Sequence, residues 1–111
     1  MPTLFKAIVV KTFAAATIML ALPMVAEEHT IVQKDRAFSQ TEITIKLGDA
    51  IVFKNADEVT HNVFSASPGM EFDIRRQPPG GSSTVTFAKE GVAEVRCSIH
   101  PKMKLLVTVK K

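Results

Sequence analysis

The chain has 111 residues, with 14 Lys and Arg against 11 Asp and Glu, a single cysteine and neither Trp nor Tyr. That length holds one small domain and no more, and a lone cysteine excludes an internal disulfide. Lys6 and Lys11 supply two of the positive charges, leaving residues 27–111 with 12 basic against 11 acidic groups, too balanced for a nucleic-acid-binding face.

Residues 1–26 read as a secretory signal peptide. The two lysines are followed by an uncharged run of 15 residues, Thr12 to Ala26, and then by the abruptly acidic Glu27-Glu28-His29. Pro23 and the small Ala26 place the expected cleavage after Ala26. An uncharged run of that length is short against the roughly 20 residues a membrane-spanning helix needs. The expectation is an exported, periplasmic domain of residues 27–111 without a membrane span, anchored only where the leader is retained. An unpaired thiol in an oxidising compartment must be buried or ligated to survive. A chain starting at Glu27 would also put histidine third, a geometry able to wrap Cu(II) or Ni(II) with nitrogen donors.

The mature chain reads as short strands. Thr30 to Gln33 is a first strand, and Lys34 to Ser39 a connection. Between Gln40 and Leu47, Ile43, Ile45 and Leu47 alternate with Glu42, Thr44 and Lys46, the pattern of a half-buried strand. Gly48-Asp49 reads as a turn joining it to a strand from Ala50 to Lys54, which predicts a hairpin. Asn55 to Glu58 supplies turn formers. His61 to Phe64 is a short strand with His61 and Val63 on one inward face, and Met70 to Ile74 is partly extended. Arg75 to Ser83, with Pro78-Pro79-Gly80-Gly81, reads as an irregular surface excursion. Ser83 to Phe87 alternates again. Val92 to Cys97 aims Ala93, Val95 and Cys97 inward, and Leu105, Val107 and Val109 mark a closing strand. Many short strands without a substantial helix predict an all-β fold, a Greek-key sandwich or barrel.

Chemistry concentrates in Cys97-Ser98-Ile99-His100-Pro101-Lys102-Met103, with His61 upstream. Each donor alone has an ordinary reading: an inward Cys as a small core hydrophobe, His61 as a hydrogen-bonded core histidine, Met103 as a gap filler. Together, thiolate and thioether suit Cu(I) while imidazole also suits Cu(II), and two His, one Cys and a weak Met describe a blue-copper site. Pro101 cannot donate to a strand ladder, so the chain leaves the strand after Cys97 and one loop can wrap three donors.

This loop resembles the short C-x-x-H-x-x-M loop of the cupredoxins, most closely their amicyanin and plastocyanin branch. The run Asn55-Ala56-Asp57-Glu58-Val59-Thr60-His61-Asn62-Val63 resembles the family's N-x-D…H-N-V segment, and Ile43 to Asp49 its V-x-I-K-x-G stretch. The resemblance covers roughly residues 40–111. It implies a cupredoxin-like Greek-key fold and one type 1 copper, with His61, Cys97 and His100 as equatorial ligands and Met103 as the weak axial one. Asn62 is expected behind the ligands, tying the two ligand-bearing loops together. The implied function is a small exported protein that carries one electron between redox partners and is not an enzyme. Partners would dock near His100 and Pro101, and the protein is expected to be a monomer. A periplasmic copper carrier or store is the alternative; a reactive thiol built on Cys97 and His100 is a further one, disfavoured by the inward Cys97. The chain departs from the family at Val95 and Arg96, where an aromatic is usual, at Lys102, and at Lys104-Leu105-Leu106, where a glycine is usual.

Overall fold

The computed structural model describes residues 26–111 together with Lys11, Thr12, Ala14 and Thr17. The leader expected at residues 1–26 otherwise lies outside the described residues. Among the described residues there is no helix long and apolar enough to cross a membrane.

Among the described residues nine strands follow one another: β1 (Glu28–Lys34), β2 (Ala37–Phe38), β3 (Glu42–Lys46), β4 (Ala50–Asn55), β5 (His61–Ser65), β6 (Phe72–Gln77), β7 (Ser82–Thr86), β8 (Gly91–Arg96) and β9 (Lys104–Lys110). They form an all-β sandwich of two sheets, ordered β2-β1-β4-β7 and β3-β9-β8-β5-β6. β1 runs parallel to β4 and β3 parallel to β9, while the remaining pairs are antiparallel.

The core lies between the sheets and follows the two-residue period. Ile51 and Phe53 of β4, Ala93 and Val95 of β8, and Leu105, Val107 and Val109 of β9 are all buried. Burying one such side chain contributes roughly 1.5–3 kcal/mol for the larger residues, against a net domain stability of roughly 5–15 kcal/mol. Losing one of the larger ones therefore removes a sizeable fraction of the total. Four phenylalanines run through the interior in contact: Phe38 with Phe53 at 6.4 Å between centroids, Phe53 with Phe72 at 6.2 Å, and Phe72 with Phe87 at 5.9 Å. They fill space in a domain without Trp or Tyr.

Three sequence expectations are corrected. β3 and β4 do not form a hairpin but lie in different sheets. Gly48, at φ +92°, turns a corner between the sheets. Asp49 then clamps that corner by accepting the Lys46 and Glu27 amides, each at 3.0 Å. Long-range parallel partners, β9 for β3 and β1 for β4, win over the local pairing. The connection after β1 contains the short β2, joined by a tight turn with Asp35 and Arg36 at φ +52° and +54°, the left-handed backbone such two-residue hairpins require. The stretch from Arg75 to Ser83 is irregular only between β6 and β7. Gln77 remains in β6, buried opposite His61, and its side-chain Nε2 donates to Phe53 O at 2.9 Å.

Gln33, Asn55 and Gln77 form a buried amide cluster that joins the two sheets. Gln33 Nε2 donates to Gln77 Oε1 at 2.6 Å, and Asn55 Nδ2 donates to Gln77 O at 2.9 Å. Of the three, Asn55 ends β4 and opens the loop before His61.

Candidate metal centre

Three connections meet at one end of the sandwich: the β1–β2 turn, the β4–β5 loop and the β8–β9 loop. Asn55 shapes the second. Its side chain donates to Val59 O and accepts the Asp57 amide, both at 2.9 Å, so the loop folds back on itself before β5 begins. His61 opens β5 fully buried, beside Asn62 and Val63, which are buried as well. Asn62 alternates to the other face from His61 and Val63 and is covered there beside a bulge in β6, where Arg75 lies in the left-handed region at φ +64°. Asn62 fills the bulge, donating to Asp73 Oδ1 at 2.7 Å and to Arg75 O at 3.0 Å.

Cys97 follows β8, continues its inward face and is 1% exposed. The chain then leaves the sheet through Ser98 to Lys102 and returns at Met103, whose amide donates to His100 O at 3.0 Å and whose side chain is buried. The loop thus turns His100 back over Cys97. His61 Nδ1 lies 3.0 Å from His100 Nδ1, and Cys97 Sγ lies 3.9 Å from the first and 4.0 Å from the second. These donors surround a space for one ion at roughly 2.0–2.3 Å from each, the usual range for imidazole and thiolate on a transition metal.

The surroundings hold that arrangement. The Asn62 amide donates to Cys97 Sγ at 3.3 Å, and Asn62 Oδ1 accepts the Ser98 amide at 3.2 Å, so one residue fastens both donor-bearing segments. Arg96 donates to Glu94 Oε1 at 2.7 Å and to the Pro101 carbonyl, bracing the β8–β9 loop from outside. Desolvation, with a smaller contribution from His61 and Arg36, holds the His100 imidazole below the usual histidine range and so favours its neutral, metal-binding form.

Asp57 was not singled out by residue type alone. Its Oδ2 lies 2.9 Å from His61 Nε2. The Arg36 amide and the contact with His61 hold its carboxyl well below the usual carboxylate range. The sequence signal was its place four residues before His61, inside the segment that carries the family resemblance. Around the half-buried His100, Arg36, Ile99, Pro101 and Lys102 line a shallow surface hollow, with Ile99 44% exposed. Arg36 reaches this rim from the distant β1–β2 turn, which no local pattern could reveal.

His29 is far from this centre in sequence and engaged elsewhere. Its Nε2 meets Asp49 Oδ2 at 2.9 Å, with Glu27 nearby, and it stands within β1 paired to β4. A strand in that pairing does not wrap an ion through successive amides.

The sequence matches the group described as copper binding proteins, plastocyanin/azurin family, over residues 25–110. The chain belongs to that family. Within it, this cupredoxin is 28% identical over 106 residues to the methylamine utilization protein MauL of Methylorubrum extorquens, a match covering 95% of this chain and 92% of that one. It is 35% identical over 75 residues to amicyanin-alpha of the same organism, covering 65% of this chain and 63% of that protein. Among solved structures, a novel purple cupredoxin from Nitrosopumilus maritimus matches with a TM-score of 0.64 and 26% identity, over 72% of this chain and 97% of that one. Copper is the metal for which this family's centre is named, and the His61, Cys97 and His100 cluster suits a type 1 copper site.

Proposed function

We propose that this cupredoxin is a small exported electron carrier in which His61, Cys97 and His100 hold one copper ion, with Met103 as a weak axial ligand and Asn62 fastening the ligand loops. Bound copper supplies a one-electron couple between Cu(II) and Cu(I). The protein's part is to keep the donors in one arrangement for both states, and two β-sheets joined at the ligand loops supply that rigidity. A reduced donor protein gives one electron and an oxidised acceptor receives it; no atom is transferred and no substrate is bound. The chain itself catalyses nothing in this reading.

The carrying observation is the convergence of two imidazoles and a buried thiol within 4.0 Å of one another. Burial of Cys97 disfavours a nucleophilic thiol, which needs access to its target. The half-buried His100 is the electron port, and redox proteins dock on the face around it and Pro101. Arg36 and Lys102 make that face cationic around the exposed Ile99, so it suits an acidic partner with an apolar centre. Residues 1–26 act as the leader, and the mature domain works as a periplasmic monomer.

The test is the visible spectrum of the mature protein with Cu(II). An intense band that disappears in Cys97→Ser, together with reversible one-electron reduction, is the expected result. A colourless, freely exchanging complex would favour copper carriage or storage, and rapid metal-independent alkylation of Cys97 would favour thiol chemistry.

A further inference from the structure

We propose that Asp57 is a positioning residue that sets the balance between the two oxidation states of the centre. It would fix which nitrogen of His61 faces the metal, and its charge would favour the more positive state. This inference rests on the electron-carrier reading above.

Asp57 is built into its position. Oδ2 accepts the Arg36 amide at 2.8 Å and Oδ1 accepts the Glu58 amide at 2.9 Å, while its own amide donates to Asn55 Oδ1 at 2.9 Å. Oδ2 also stands 2.9 Å from His61 Nε2, with the His61 side chain 0% and the Asp57 side chain 10% exposed. A carboxylate surrounded by donors can only accept. His61 Nε2 therefore carries a hydrogen, and in the neutral imidazole the lone pair is left on Nδ1.

That lone pair faces His100 Nδ1 at 3.0 Å and Cys97 Sγ at 3.9 Å. The imidazole thus presents its metal-binding face before any ion arrives. A neutral acceptor in place of the carboxylate would fix the same tautomer. What only an anion adds is electrostatic: it stabilises a metal–imidazole unit more as the metal's charge rises, and it makes the imidazole a stronger donor. Asp57 should therefore favour Cu(II) over Cu(I). The β1–β2 turn becomes part of the centre as well, since the Arg36 amide and His61 Nε2 share one carboxylate oxygen.

Asp57→Asn separates charge from shape, because asparagine keeps an acceptor oxygen and loses the charge. The midpoint potential of the copper-loaded wild type, Asp57→Asn and Asp57→Glu is measured by spectroelectrochemistry. Removing a group behind a metal ligand typically costs 10–100-fold in affinity. The expected result is an approximately tenfold loss of preference for Cu(II) in Asp57→Asn, which raises a one-electron potential by about 59 mV. Asp57→Glu should recover part of that shift. An unchanged potential in Asp57→Asn with its colour intact overturns the inference and leaves the electron-carrier reading standing. A wild-type protein without a reversible couple removes both.

A second measurement needs no variant. Nitrogen-15 NMR of the copper-free wild type should find His61 protonated at Nε2 near neutral pH. A dominant Nδ1–H form overturns the inference even if the variants fail to fold.

Discussion

Asn62→Ala tests whether one side chain fastens the two donor-bearing segments. The wild-type side chain makes three hydrogen bonds: to Asp73 Oδ1 at 2.7 Å, to Arg75 O at 3.0 Å and from the Ser98 amide at 3.2 Å. A bond to a charged group contributes roughly 1.5–3 kcal/mol and a neutral one roughly 1 kcal/mol. Ser98, Asp73 and Arg75 are exposed residues, so water recovers part of the loss after truncation. The net cost should be about 2–3 kcal/mol, or about 10–20 °C in the melting temperature of a domain this small. The assay is denaturant unfolding of the copper-free protein, read as a lower midpoint at unchanged slope. The copper-loaded variant should keep its intense colour, because the bond to Cys97 Sγ comes from the Asn62 backbone and survives. A loss below about 0.5 kcal/mol, the range of an ordinary surface substitution, would refute the fastening role.

Asp49 titrates at about 2, lowered from 3.8 first by the His29 hydrogen bond and then by the Glu27 and Lys46 amides. A depressed carboxylate stabilises above its unfolded value, so this contribution is present above 3.8 and is lost as pH falls towards 2. Asp49→Asn should therefore be less stable than wild type at neutral pH, with the gap narrowing across that acid range in thermal melts; a constant gap would exclude the carboxylate as its source. Leu105→Ala empties a fully buried site in β9 and should cost about 2–5 kcal/mol in urea unfolding. Lys102→Glu should slow electron exchange with an acidic redox protein and weaken its dependence on ionic strength in stopped-flow measurements, with little change in exchange with a neutral one.

Among the proposed donors, Cys97, His100 and Met103 were readable from sequence because one short segment carries them. Alternation in β8 also set the direction of Cys97, which is buried with Ala93 and Val95. His61 was readable because its strand pattern turned it inward. Asp57 appeared as a turn former and as the D of the N-x-D…H-N-V segment, without a role, since that depends on where the Arg36 amide and His61 Nε2 come to rest. Arg96 and Lys102 stood out as charges where the family more often has rings. In three dimensions Arg96 braces the Pro101 carbonyl, whereas Lys102 joins Arg36 at the rim beside His100.

By itself, then, the sequence determined the all-β class, the inward faces of most strands and the candidate residues His61, Cys97 and His100 that the fold brings together, because these depend on residue type and a period of two. Tertiary structure alone decided that β3 and β4 part into different sheets, that a bulge in β6 receives the Asn62 side chain, and that the β1–β2 turn reaches the centre. Those features depend on pairings between residues far apart in the chain, whose energies no local pattern encodes.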